Sequence, residues 1–180
     1  SLTEKIFYWG NAGGENLYFM SSPYPGELGD WSVHTSRFHN EFYKELKGMS
    51  PVEQDAKYKK QAVKNIINHP AKYFLNWLAN IGRLFFNYPY SYDIQRLSNF
   101  FYFVPNMFLV VFSVLCLFPT FKERRRVPYE IYALIFFALI SLGGLSIQSS
   151  EQRYLWPLVP VFMLWISFTL TRLVKVEIRQ

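Results

Sequence analysis

The chain has 180 residues, a net charge of +6 and an aromatic content of 20%. Its length allows about one domain of ordinary size. Its single cysteine excludes a disulfide framework within the chain. A mean hydropathy close to zero suggests a soluble protein, but the average hides a split. Most charged side chains fall before residue 99, and three long uncharged stretches follow it. A water-facing half is therefore expected to precede a membrane half.

Residues 1–33 are rich in Gly, Pro, Asn, Ser, Trp and Tyr and show little periodicity. Turn dipeptides recur through WGNAGG and SSPYPGELGD, so the segment reads as a loop. Tyr8, Trp9, Tyr18, Phe19 and Trp31 are too many aromatics for a disordered linker, which makes it an ordered loop. The stretch GGENLYFMSS at 13–22 is close to a protease site used to remove expression tags. Met20 stands where that site needs Gln, and the sequence is read as native.

From Ser36 the pattern turns helical, with Phe38, Phe42 and Leu46 four residues apart and Gly48 as a stop. Ser50, Pro51 and Glu53 supply an N-cap, a first-turn proline and the acidic member of a capping box. The helix they open is expected to run to about Asn68, with Val52, Ala56, Val63, Ile66 and Ile67 on its apolar side. His69 and Pro70 break it and start another. Residues 1–69 thus form a loop and a helical hairpin in water. The basic residues of 57–64 read as a solvated face, with anionic headgroups as the second reading.

Residues 70–98 contain the segment PAKYFLNWLANIGRLFFNYPYSY, where Asn76, Asn80, Arg83 and Asn87 share one helix face. Two arrangements fit. The helix can lie flat at the membrane interface with its polar face to water. It can also span, with that stripe turned to protein or a wet cavity. Four polar residues on one stripe favour the flat, amphipathic arrangement.

Within residues 99–180, three segments approach the roughly 20 apolar residues a bilayer core requires: Phe100–Phe121, Ile131–Gln148 and Tyr154–Thr171. The fold class expected is an all-α membrane protein with three transmembrane helices. KERRR at 122–126 should stay cytoplasmic. Arg172, Lys175 and Arg179 after the third segment should face the same side. The N-terminal half and the 148–153 loop then lie outside the cytoplasm, with loop 122–130 and the C-terminus inside.

That outer loop carries Glu151, Gln152, Arg153 and Tyr154. Arginine suits a phosphate because its planar fork presents paired donors and stays charged. Tyr154 can anchor at the interface while offering a hydroxyl. Glu151 can orient the guanidinium or bind a sugar hydroxyl. Pro157 and Pro160 would bend the top of the next helix. Against this stands the plainer reading of Arg and Tyr as membrane anchors. His34, His39 and His69 lack the spacing of a helical ligand pair and read as solvated histidines, with no metal assigned. Neither a P-loop, a dinucleotide fingerprint nor a nucleophile elbow is present, and nothing points to nucleic acid.

Three stretches, WGNAGGENLYFMSSPYPGELGDW, NHPAKYFLNWLANIGRLFFNYPYSY and EQRYLWPLVPVFMLWI, carry a resemblance that covers nearly the whole chain. Together they resemble the C-terminal part of GT-C class integral-membrane glycosyltransferases. The type is that of dolichyl-phosphate-mannose–protein mannosyltransferases and bacterial aminoarabinose transferases. The resemblance implies sugar transfer from a polyprenyl-phosphate-linked donor on the extracytoplasmic side. Arg153 and Tyr154 would contact the donor phosphate or its lipid neck, and Gly10, Asn11 and Glu15 would border the acceptor. It leaves room for a divalent metal in the full-length enzyme and assigns it no residue here. The catalytic carboxylate of that family lies in a first extracytoplasmic loop with no counterpart in this sequence. Glu15, Glu27 and Asp30, read as external carboxylates, are not equated with it. The chain is expected to be a section of a longer enzyme, as its start at Ser1 suggests, or an accessory membrane subunit that scaffolds a partner. A fragment of a transporter is the weaker third reading, because the spans bury no charges.

Overall fold

The computed structural model of the chain describes residues 12–92, 99–149 and 151–174. Among these residues there are helices and no strands. In chain order the α-helices are α1 (Ala12–Met20), α2 (Asn40–Leu46), α3 (Pro51–Asn68), α4 (Pro70–Phe86), α5 (Phe100–Lys122), α6 (Tyr129–Ser146) and α7 (Val159–Phe168). The first three, with α4, make a cap. The last three make an apolar bundle.

The loop expected over residues 1–33 is in part a helix. Its glycines and asparagines conceal α1, which is held by a partner distant in sequence. Gly14 donates its backbone N–H to Asp55 Oδ1 at 2.8 Å, so a carboxylate from α3 satisfies one of the orphan donors of the α1 first turn. The approach requires glycine: a Cβ at residue 14 would sit 2.5 Å from the Asp55 carbonyl and carboxylate oxygens. Gly14→Ala should therefore pry α1 from α3 and destabilise the cap by about 1–3 kcal/mol. Faster amide exchange across Leu17–Met20 in the variant would report it. Residues 1–11, including Tyr8, Trp9, Gly10 and Asn11, lie outside the described residues.

The hairpin expected from Ser36 opens with 3-10 turns over Trp31–Thr35 and Arg37–His39 before α2 begins. Leu46 is buried, whereas Phe38 is 47% exposed. Gly48 follows the helix with φ +84°, the left-handed region where glycine costs least. The Ser50–Glu53 capping box forms in both directions, and α3 ends at Asn68.

The buried face of α3 differs from expectation. Asp55, Tyr58, Ala62 and Asn65 face the cap interior, while Val63 and Ile67 are 49% and 71% exposed. Polar partners decide the orientation. Asp55 holds Gly14, Asn65 donates to Ser21 Oγ at 3.4 Å, and Tyr58 joins Tyr18, Phe19, Val33, Leu46 and Ala62 in the cap core.

Helix α4 departs further from the water-facing arrangement. Asn76, Asn80 and Arg83 are each 0% exposed, and Phe74, Leu75 and Leu78 are about half exposed. The polar stripe turns into protein and the apolar stripe turns out. Asn76 donates to the Met20 and Ser22 carbonyls, both at 3.0 Å. Asn80 donates to the carbonyls of Ser146 and Gln148 at 2.9 and 2.8 Å. Tyr73 donates its hydroxyl to the Ile147 carbonyl at 2.9 Å. Side chains of α4 thereby satisfy carbonyls left open at the end of α6.

Three helical segments are long and apolar enough to cross a membrane: Phe100–Lys122, Tyr129–Ser146 and Gln152–Leu173. Their contacts fix which ends share a side. Phe103 of α5 lies 5.1 Å from Phe86 of α4, ring to ring, and Asn106 donates to the Phe85 carbonyl. The α6 end at 145–148 is held by α4, and the turn Gln152–Tyr154 also packs on α4. The start of α5, the end of α6 and the start of the third segment therefore lie together under the cap. Lys122 and Arg124–Arg126 lie at the far end. There Trp165 donates to Thr120 Oγ1 at 3.0 Å, and Thr120 meets Thr169 at 3.4 Å. The last turn, Thr169–Leu173, is π-helical. Lys175 and Arg179 fall outside the described residues.

Candidate functional site

At the cap-side ends of the apolar helices the chain forms a polar mouth. Residues 152–154 make a single 3-10 turn, closed by the Tyr154 N–H to the Glu151 carbonyl at 3.0 Å. Gln152 is buried and, with Leu155 and Leu158, roots the turn in protein. Arg153 is left outward. Its side chain is 65% exposed, its Nε lies 3.0 Å from Glu151 Oε2, and its guanidinium carbon sits 5.4 Å from the centre of the Tyr154 ring.

Glu151, Gln152, Arg153 and Tyr154 are thus brought together by one turn, with Gln152 as anchor rather than contact. An exposed ion pair of this kind contributes little stability. Pro157 falls in a second 3-10 turn and Pro160 in the first turn of α7. There a missing N–H costs nothing, so both shape an irregular helix start rather than a bend within a helix.

Glu15 stands apart from Arg153. It faces His34 at 4.0 Å, both partly exposed. Its neighbour Asn16 accepts the Ser149 N–H at 3.2 Å, so α1 borders the loop that leads into the mouth. Asn11, expected at the same border, lies outside the described residues.

Below the mouth runs an apolar crevice of about 530 Å³ between α5 and α7. Pro105 and Val159 mark its cap end, and Phe112 and Leu170 its depth. Asn106 is the one polar side chain in its lining. The crevice runs beside residues 105–112 of α5 and residues 159–170 of the third apolar segment.

A second polar assembly lies inside the cap, and it corrects one expectation. His39 is 2% exposed, not solvated, and Glu27 and Asp30 are buried with it. Tyr18 Oη lies 2.6 Å from His39 Nδ1, and His39 Nε2 lies 2.9 Å from Glu27 Oε2. Ser22 donates to the same Glu27 oxygen, Tyr92 donates to Oε1 at 2.9 Å, and Lys72 donates to the Glu27 carbonyl.

Burial alone would raise the Glu27 carboxyl, but the hydrogen bonds from His39, Ser22, Ser36 and Tyr92 outweigh it and hold the pKa at about 2. Burial pushes the Tyr18 phenol well above its ordinary value and draws the Lys72 amine down. Tyr18 is thus a neutral phenol at any ordinary pH.

Asp30 anchors the neighbouring knot. Its Oδ2 accepts the Ser91 N–H and hydroxyl, both at 2.6 Å. Its Oδ1 accepts the Ser32 N–H at 2.9 Å. Arg83 approaches Asp30 at 3.9 Å and donates to the carbonyls of Leu28 and Pro89, both at 3.0 Å. Burial lowers the Arg83 pKa to about 10 against the opposing pull of Asp30, so it remains a cation at neutral pH. Sequence spacing exposed the α4 side of this knot through Asn76, Asn80 and Arg83. Its other members carry no periodic signal.

A hollow of about 770 Å³ lies away from the mouth, between α2 and α3, with Tyr18 and His39 among its lining residues. Lys57 there is paired with Glu45 at 2.7 Å. Among the described residues, no three His, Cys, Asp or Glu side chains gather as a metal site would require. The chain was compared with protein-family models, with curated proteins and with solved structures, and none matches it.

Proposed function

We propose that the chain is the C-terminal section of a polyprenyl-phosphate-sugar-dependent glycosyltransferase, contributing the lipid-donor cavity and an extracytoplasmic cap. One observation carries the reading: an exposed arginine in an exposed ion pair stands on a turn, in the same segment that lines an apolar crevice from Val159 onward. A polyprenyl phosphate has the same two parts, an anionic head and a long hydrocarbon tail. Arg153 would take the phosphate in place of the Glu151 carboxylate, and the crevice would take the first isoprene units. The freed Glu151 would accept hydrogen bonds from sugar hydroxyls, and Tyr154 would line the neck.

In such a transfer the acceptor hydroxyl attacks the anomeric carbon, and the bond from that carbon to the phosphate oxygen breaks. The lipid phosphate leaves with the electron pair. Arg153 would stabilise the charge growing on that phosphate. The proton of the acceptor would pass to a carboxylate supplied by the remainder of the enzyme. The basic run at 122–126 supports the sidedness, since arginine-rich connections between spans stay in the cytoplasm. In the full-length enzyme in proteoliposomes, Arg153→Ala should lower turnover from a polyprenyl-phosphate sugar about 10²-fold, as expected for loss of one charge-stabilising group. Unchanged donor affinity and turnover would remove the assignment.

A second reading, a non-catalytic subunit that scaffolds another membrane protein, draws on one observation. Within its apolar window, only 11% of α5 is buried inside the chain, leaving a wide surface for other helices. Purification with a partner membrane protein, together with failure to bind the lipid phosphate, would favour it.

A further inference from the structure

We infer that α4 is an in-plane membrane helix. Its Phe74–Leu78 face lies in the hydrocarbon of the cap-side leaflet, while the cap roofs its polar face. Ala71, Phe74, Leu75 and Leu78 fall at i, i+3, i+4 and i+7, one unbroken stripe. Phe74, Leu75 and Leu78 are 54%, 58% and 46% exposed. At 3.6 residues per turn, the direction midway between Phe74 and Leu78 is roughly opposite that of Asn76, Asn80 and Arg83. Asn76 and Arg83 bind the cap at Met20, Ser22 and Leu28, and Asn80 binds the end of α6. The apolar stripe consequently points away from the cap and out of the protein.

That level is set by contacts rather than by composition. At its C-terminal end α4 meets Phe103 and Asn106, one and two turns inside α5. At its middle it holds the end of α6 through Tyr73, Trp77 and Asn80. A helix laid across the ends of two spanning helices, one turn into one of them, is below the headgroups on its lower side.

The occupant is lipid because α4 is bonded to two helices of membrane length whose outer faces are likewise apolar, Phe101 and Phe108 of α5 being 80% and 60% exposed. The stripe also carries no charge. The only charged residues of α4 are Lys72 and Arg83, and both are bound on the cap side: Lys72 to the Glu27 carbonyl and Asn76, Arg83 to Leu28 and Pro89. The inference stands on the three apolar helices alone and is independent of the glycosyltransferase reading and of sidedness.

The test places a nitroxide on the full chain in phosphatidylcholine–phosphatidylglycerol liposomes, with Cys116 replaced by alanine. Labels go at Phe74→Cys and Leu78→Cys, with Phe108→Cys and Lys64→Cys as lipid and water references. Collision rates with oxygen and with a water-soluble nickel chelate are then compared. Residues 74 and 78 should match residue 108, open to oxygen and closed to nickel. Nickel access equal to that of residue 64 would overturn the inference in favour of water. Closure to both reagents would overturn it in favour of a protein partner.

Discussion

Replacing Arg83 with alanine is expected to unfold the cap while leaving α5–α7 helical. The guanidinium is fully buried and donates to the carbonyls of Leu28 and Pro89 and to Asn80 Oδ1. Its removal strands those acceptors and leaves Asp30 without its neighbouring cation. Breaking a buried charged arrangement by deleting one partner costs about 3–5 kcal/mol, a large share of what a domain of this size possesses. Arg83→Lys should recover only a small part, because one ammonium cannot reach three acceptors that a planar fork spans. Limited proteolysis of the full chain in detergent would read the result. Cleavage should appear within residues 20–50 in Arg83→Ala and not within α5–α7. A variant as resistant as the native chain would show that the knot is dispensable.

The second large effect is a loss of cap stability in acid that depends on Glu27. Its pKa is about 2 in the folded chain against an ordinary value of 4.5. A carboxyl depressed by folding contributes stability that is fully present above the ordinary value. That contribution fades as pH falls from 4.5 toward 2. It is on the order of 3 kcal/mol. Glu27→Gln should be less stable than the native cap at neutral pH, because an amide cannot replace a carboxylate that accepts from four side chains. It should also lose most of the acid dependence across that window. Hydrogen exchange at Tyr18–Ser22, followed from neutral pH to pH 3, would measure both. An equally steep acid dependence in the variant would assign the effect to other carboxylates.

These effects concern residues that the sequence displays unevenly. Three apolar stretches of nearly bilayer length can be read directly, because length and composition are what a membrane selects. The Ser50–Glu53 cap and the end of α3 at Asn68 follow from local chemistry that needs no tertiary partner. Helix α1 is different: Gly13 and Gly14 argue against a helix until Asp55 arrives from 41 positions away. The orientation of α3 was equally hidden. Its longer aliphatics, Val63 and Ile67, face outward because Asp55 and Asn65 have polar partners on α1 and beside it.

At the mouth, residue types pointed to Glu151, Arg153 and Tyr154, and these side chains do cluster on one turn. Gln152 is indistinguishable from them in sequence, yet alternation around a tight turn sends it inward. The polar stripe of α4 was plain, but whether water or protein faced it depended on carbonyls at residues 20, 22 and 145–148 that no periodicity reveals.

The residues just after α4 are fastened to the cap. Pro89 accepts from Arg83, Ser91 is bound to Asp30, and Tyr92 reaches Glu27, while α4 itself grips the ends of α5 and α6. Swinging the upper half away like a door would rupture the bonds of α4 to both α5 and α6 at once. On the proposed reading, a lipid donor would therefore arrive sideways, between helices held together at their upper ends, and the width of that slot rather than the timing of a gate would select it.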